Sequence, residues 1–244
     1  MTIKHKIKDC IIKEFAITTS RNIAIVQVPD QYSLGMLFLR YQEFYESPNK
    51  DFNHKPFTII EFMDWYRRKM GDLCFSYPED YIGYNIPVKT MVECHGCIPY
   101  GDLNEYDKIM YMIISECISN NVQYVIGVPN YLSDKFDSTF KHEMAHALWY
   151  TNPLYKGEML DLINDLTDSQ YKGLTKVLKE QMYGPDHYDD EIQAYLATGL
   201  HGDMTKTPGI KSRVTLFRKQ FNKYYKPFIQ EILEKTAHLP RQKK

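Results

Sequence analysis

The chain has 244 residues, of which 43% are hydrophobic and 25% are charged, and its formal net charge at pH 7 is −1. That composition excludes a largely disordered chain and suits one large or two small packed domains. The balanced charge gives no global reason to expect a nucleic acid or an anionic membrane as a partner, and we expect neither.

The compartment is predicted from the first residues and from the cysteines. The N-terminal sequence MTIKHKIK lacks the apolar core of a secretory signal, and no run approaches about 18 apolar residues. The five cysteines, an odd number, favour a reducing compartment over a disulfide framework. We therefore expect a soluble cytoplasmic protein. Export by a route that does not need a signal peptide is the alternative.

The first hundred residues predict an α/β subdomain. Residues 22–28 are a run rich in β-branched side chains that predicts a buried strand, and residues 34–45 predict a helix. Thr58 and Glu61 have the spacing of a capping box, which predicts that a second helix begins here and continues to about Met70.

Residues 71–100 show no sustained periodicity and predict an irregular connection or a lid. They include Cys94-His95-Gly96-Cys97, which we interpret as a glycine-containing turn, with a second metal or redox site as the alternative. We place the end of the N-terminal subdomain here, so that residues 1–100 and residues 101–244 form two regions.

A helix and a strand are predicted next. Asp102 and Glu105 resemble a capping box at the start of a helix that ends near Ser119. Residues 122–128 then predict a strand, which a Pro-Asn turn ends.

The segment 138–150 carries the chemistry that the sequence predicts most strongly. It contains HEMAH at residues 142–146, and at about 100° per residue His142 and His146 lie one helical turn apart on the same face. Two such imidazoles can hold one metal ion, and Glu143 lies beside them as a general base. A structural pair of histidines is the alternative.

Further helices are predicted downstream. Residues 157–183 contain two helical patterns separated by a cap at residues 167–170, and residues 189–199 form a short helix that is acidic in its first turn. Residues 212–235 predict a basic helix with interleaved aromatics, kinked or broken at Pro227. We interpret those aromatics as packing on the core, with an RNA or anionic-lipid surface as the alternative.

The third metal ligand is predicted to be Glu191. It begins an apolar helical pattern and stays on a face that the metal can share. The alternative without a metal is that this acidic segment is a solvent-exposed helix cap. Other candidates for the third ligand are Glu158, Asp165, His187, Asp189 and Asp190.

Together these motifs resemble the zincin metallopeptidases over about residues 103–200. The histidine extension of the metzincins is absent after His146, whereas Glu191 and Ala194 resemble the E-x-x-A pattern of the gluzincin ligand helix. The resemblance implies one Zn²⁺ per chain, a metallopeptidase domain at residues 101–244, and a mostly helical α+β fold with a small sheet.

One position departs from that pattern. Many gluzincins carry an aspartate four residues after the ligand glutamate, where it orients a metal-bound histidine, but this chain has Tyr195. Asp190, Tyr195 or a backbone carbonyl must then serve as the partner of the histidines. The candidates for the group that steadies the reacting oxygen are Tyr188, Tyr195, His187 and His201.

The resemblance also implies a substrate-binding strand. In zincins the strand before the metal helix can be an edge strand to which an extended substrate adds by backbone hydrogen bonds. Its residues here are Gly127, Val128, Pro129 and Asn130, for which an ordinary sheet edge is the simpler interpretation.

The predicted function is therefore peptide-bond hydrolysis by a zinc-bound water that Glu143 activates, with a peptide or protein as substrate. One alternative is a catalytically silent zincin-like binding or regulatory protein. Another is a narrow-specificity protease that acts on one partner protein, as a toxin, effector or regulator would.

Overall fold

The computed structural model describes residues 2–6, 11–71, 73–129 and 134–237. Within these residues the fold is α+β and mostly helical, as predicted, with one mixed sheet. Packing divides the chain into two compact units, Met1–Phe136 and Asp137–Lys244. The predicted boundary near residue 100 falls inside the first of these units.

The first unit contains the sheet. Its strands are β1 (Thr2–Lys6), β2 (Glu14–Ser20), β3 (Ile23–Val28), β4 (Tyr84–Pro87) and β5 (Tyr124–Pro129). Their spatial order is β1-β2-β3-β5-β4, in which β3 and β5 are parallel and the other neighbours are antiparallel. The strands predicted at 22–28 and 122–128 are confirmed as β3 and β5.

Five helices belong to the same unit: α1 (Gln31–Glu46), α2 (Ile59–Met70), α3 (Tyr77–Asp80), α4 (Val88–Cys97) and α5 (Glu105–Ser119). The capping box of Thr58 and Glu61 is confirmed at the start of α2. At the start of α5 the box is instead Asn104 with Asp107, because Asn104 has the extended backbone of a helix cap and Asp102 lies in a 3-10 turn.

The prediction that residues 71–100 are irregular is wrong. The segment contains β4, which has only four residues, and α4, whose Val88, Met91 and Cys94 lie at helical spacing and are buried. Proline and tyrosine steps around these short elements hide their periodicity. The Cys94–Cys97 pair is therefore helical rather than a turn, and burial raises the pKa of Cys94.

Strand β5 is an interior strand along Tyr124–Gly127, so the prediction of an edge strand is wrong there. It pairs with β3 on one side and with β4 on the other. Gly127 is buried against α1, where an added Cβ would lie 2.5 Å from the Phe38 ring. Close packing of a helix on the sheet therefore accounts for this glycine.

The second unit contains α6 from Asp137 onward and all of α7 to α10. The ranges are α6 (Asp134–Thr151), α7 (Pro153–Asn164), α8 (Asp168–Glu180), α9 (Tyr188–Thr198) and α10 (Ile210–Ala237). Thr167 and Gln170 form the capping box of α8, and Gly199 follows the end of α9, as predicted. Helices α7, α8 and α10 all pack against α9.

Helix α10 continues through Pro227, so the prediction of a break is wrong. Tyr225 and Phe228 are buried on either side of this proline, and their packing offsets the lost backbone hydrogen bond. Phe217 and Phe221 are buried as well, which confirms that the aromatics of this helix pack on the core. In the part of the chain that the structure describes, no helix is long and apolar enough to cross a bilayer.

The close packing at Gly127 yields a stability prediction. Gly127→Ala should lower the free energy of unfolding by about 1–3 kcal/mol, because the Phe38 ring and Leu34 leave no room for a methyl group. Chemical denaturation measures this loss. Gly96→Ala in α4 is the matched control, since open space surrounds that position, and it should be neutral or stabilising by up to about 1 kcal/mol. Equal losses of unfolding free energy in both variants would show that close packing at Gly127 is not the cause.

Candidate metal centre

His142, His146 and Glu191 come together although the last two are 45 positions apart in the sequence. The Nε2 atoms of the two histidines are 3.2 Å apart, and each lies 3.7 Å from a different carboxylate oxygen of Glu191. A tetrahedral ion with bonds of about 2.0–2.2 Å separates its ligand atoms by about 3.3–3.6 Å. The three side chains therefore have the spacing of a metal site, and among the described residues they are the group that meets this condition.

The carboxylate of Glu191 is buried without a hydrogen-bond donor for one of its oxygens among the described residues, and a bound cation would explain this. Its Oε2 atom has no hydrogen-bond donor within the described part of the chain, and Glu191 is only 7% exposed. The pKa of Glu191 is raised to about 7, mainly by burial; His146 opposes this rise, and the neighbouring carboxylates Asp190 and Glu143 contribute to it. A buried acceptor without a donor is costly, and a metal ion held by Glu191 and both imidazoles would offset that cost.

Asp190 orients His146. The Nδ1 atom of His146 lies 2.9 Å from Asp190 Oδ1, so a proton on Nδ1 is donated to this carboxylate. Nε2 then points toward His142 and Glu191, and its lone pair would face them once its proton is displaced by a metal ion. Burial by itself lowers the pKa of His146, but the carboxylates of Asp190, Glu191 and Glu143 outweigh it and raise that pKa. Asp190 thus takes the orienting position for which the sequence left alternatives open.

Thr198 orients His142, and the sequence did not reveal this residue. The Thr198 hydroxyl donates to the Ala194 carbonyl at 2.7 Å, which leaves its oxygen to accept from His142 Nδ1 at 3.4 Å. Burial lowers the pKa of His142, as does the positive charge of His146, so the imidazole stays neutral. Thr198 lies seven residues after Glu191 on the same face of α9, and that spacing is the signal that could have identified it.

Tyr195 does not replace the missing aspartate as a hydrogen-bond partner. Its ring packs against His142, with the ring centroids 4.7 Å apart. Burial raises the pKa of its phenol to about 12, with smaller contributions from Glu191 and Glu143, so the hydroxyl keeps its proton at neutral pH. Tyr195 can therefore support the imidazole and offer a hydrogen-bond donor.

A cleft of about 220 Å³ opens beside the cluster. Glu143 contributes to its wall and is 8% exposed, a position suited to a base that acts on a bound molecule. The residues lining the cleft are Ser138, Thr139, His142, Glu143, Tyr195, Thr198 and Gly199.

The other predicted candidates lie elsewhere. His201 is exposed, with its ring 6.4 Å from that of Tyr195, while His187 and Tyr188 stand where a 3-10 turn meets α9 and do not line the cleft. Among the rival ligands, Glu158 accepts hydrogen bonds from α10 and Asp189 accepts one from Tyr171.

The predicted substrate strand belongs to the first unit. Gly127, Val128 and Pro129 are buried in β5, and Asn130 lies outside the described residues. Contact of this strand with a substrate stays a prediction.

No family model matches this chain, and neither a curated protein nor a solved structure is significantly similar to it. The assignment of a function therefore depends on the two sequence motifs and on the geometry of the cluster.

The contact between Thr198 and His142 can be tested by an isosteric change. Thr198→Val removes the hydroxyl that accepts from His142 and should weaken zinc binding by up to about 10-fold, measured by competition with a chromophoric chelator. Thr175→Val is the matched control, because the Thr175 hydroxyl makes the same bond to the preceding helical turn without contacting a histidine. The contact has no orienting role if both variants bind zinc like the wild type.

The burial of Glu191 predicts an effect that zinc reverses. Its pKa in the metal-free fold is about 7, above the ordinary value of 4.5, so the folded protein keeps this proton longer than the unfolded chain. Its contribution to stability therefore falls as the pH rises from about 4.5 to about 7. With a chelator present, Glu191→Gln should be more stable than the wild type at pH 8, by about 1–3 kcal/mol more than at pH 5.

Added zinc should then invert that order, because an ion bound only to the folded wild type stabilises it. Denaturation by urea at both pH values, with and without zinc, measures the effect. Asp189→Asn, a change on the same turn of α9 that faces Tyr171, should respond to zinc like the wild type. Equal zinc stabilisation of Glu191→Gln and the wild type would contradict a ligand role for Glu191.

Proposed function

We propose that this protein is a zinc-dependent metallopeptidase of the gluzincin type. The observation that carries the proposal is the convergence of His142, His146 and Glu191, with Glu143 on the wall of the adjoining cleft. Two imidazoles and one carboxylate are the ligand set of zinc peptidases that keep a fourth position open. The peptide as substrate class rests on the resemblance of both motifs to that family.

Zinc fits the donor set. Nitrogen ligands and a single carboxylate suit zinc better than the hard cations magnesium and calcium, which prefer sites built from oxygen. Zinc bound there would supply a water of lowered pKa and an electrophile for the carbonyl oxygen of a substrate.

The chain's own residues would do the remaining work. The Glu143 carboxylate would accept the proton of the attacking water and pass it to the nitrogen of the leaving amine. Asp190 and Thr198 would hold both imidazoles with their Nε2 lone pairs toward the ion. Tyr195, whose phenol stays protonated, would donate a hydrogen bond to the oxygen on which negative charge develops.

The test is hydrolysis of a mixed peptide library by zinc-loaded protein, read by mass spectrometry, with a protein lysate as a second substrate set. Glu143→Gln should keep zinc and lose about 10²–10⁴-fold in rate, because it removes the base and leaves the ligands intact. Glu180→Gln, an exposed change on α8, should keep both zinc and rate.

Two outcomes would contradict the proposal. If Glu143→Gln retains most of the wild-type rate, Glu143 is not the base. If the zinc-loaded wild type cleaves neither the library nor any protein in the lysate, the chain is not a peptidase and a binding or regulatory role takes its place.

A further inference from the structure

Within the second unit, a chain of hydrogen bonds runs from the cluster to helix α7. Asp190 Oδ1 accepts from two donors at 2.9 Å each, the Nδ1 atom of His146 and the Nε2 atom of Gln193. The amide oxygen of Gln193 in turn accepts from the Tyr155 hydroxyl at 2.6 Å. The chain therefore links helix α7, which carries Tyr155, to helix α9 and to the metal-facing histidine on α6.

Each bond in this chain fixes the orientation of the next group. The Tyr155 hydroxyl has a hydrogen to donate, so it selects the orientation in which the Gln193 oxygen faces it. The amide nitrogen of Gln193 then faces Asp190. Held by this donor, the Asp190 carboxylate presents one oxygen to His146, although its side chain is 26% exposed and would otherwise exchange partners with water.

The inner members of the chain are completely buried. Gln193 and Tyr155 both have 0% exposure, and burial raises the pKa of the Tyr155 phenol well above its usual value, so its proton stays in place. The cap of Asn152 on Tyr155 N fixes the start of α7, and the ring packs edge-on against Tyr224 at 5.4 Å. Tyr155 is thus a rigid anchor.

Burying an amide and a phenol in the core is costly unless every polar atom is bonded, and an apolar pair of similar size would avoid that cost. What this polar pair can contribute is the hydrogen bond from Gln193 to Asp190, because Asp190 in turn holds His146. Resting on the proposed metal centre, we infer that Tyr155 and Gln193 are positioning residues that raise the zinc affinity of the site by holding Asp190 against His146.

The test is the zinc dissociation constant, measured by chelator competition, in a double-mutant cycle. Asp190→Ala should weaken zinc binding by about 10–100-fold, and Tyr155→Phe, one hydrogen bond further from the ion, by about 3–10-fold. In the Asp190→Ala background, Tyr155→Phe should have no further effect, because it acts through Asp190. A purely structural role for Tyr155 would weaken binding equally in both backgrounds.

Tyr171→Phe is the matched control. It removes a half-buried hydroxyl that donates to Asp189, the carboxylate next to Asp190 on α9, and should leave the zinc dissociation constant unchanged. Gln193→Leu interrupts the same chain of hydrogen bonds at its next member. It should weaken zinc binding at least as much as Tyr155→Phe does. Thermal unfolding of each variant confirms that it is folded.

The outcomes separate this inference from the proposed function. If the wild type binds zinc and hydrolyses peptides but Tyr155→Phe and Gln193→Leu bind zinc as tightly, the positioning role alone is overturned. If Tyr155→Phe weakens binding by the same factor with and without Asp190, that role is likewise overturned. If the wild type takes up no zinc, the proposed function fails and this inference fails with it.

Discussion

The site depends on one buried carboxylate that faces two imidazoles. Glu191 has an oxygen without a hydrogen-bond donor in the described structure, and the Nε2 atoms of His142 and His146 each lie 3.7 Å from one of its two carboxylate oxygens. Metal-free, this arrangement raises the pKa of Glu191 to about 7. A divalent cation held by the three groups would offset the cost of that burial, because the carboxylate and both Nε2 atoms would each have a partner.

A single short helix supplies most of the supporting groups. Asp190, Glu191, Gln193 and Thr198 all lie on α9. Asp190 bonds to His146, Thr198 bonds to His142, Gln193 donates to Asp190, and Glu191 faces both imidazoles. Because α7, α8 and α10 pack against this helix, its position is set by the core of the second unit. The geometry of the site therefore depends on packing that involves no ligand directly.

The sequence predicts the parts of this site that follow from local spacing. The i, i+4 histidines require only one helix, and Glu191 lies in the acidic first turn of a recognisable helix that a glycine ends. The Tyr155–Gln193 pair could not be predicted, because its members lie 38 positions apart in the sequence and either residue suits a helix equally well without the other. For Thr198 the sequence offers only its helical spacing from Glu191, since its partner His142 lies 56 positions away. Strand β4 escaped prediction because four residues are too few to show a period, and helix α4 because the proline and tyrosine steps around it hide its periodicity. The interior position of β5 depends on its pairing with β4.

The most direct test of the central claim is X-ray absorption at the zinc edge of the reconstituted protein. We expect about one zinc per chain, with nitrogen and oxygen neighbours at about 2.0–2.2 Å and the outer-shell scattering of two imidazoles. Sulfur neighbours at about 2.3 Å would indicate that cysteines bind the metal instead. A spectrum with no imidazole scattering, or protein that takes up no zinc, would contradict the assignment of His142, His146 and Glu191 as its ligands.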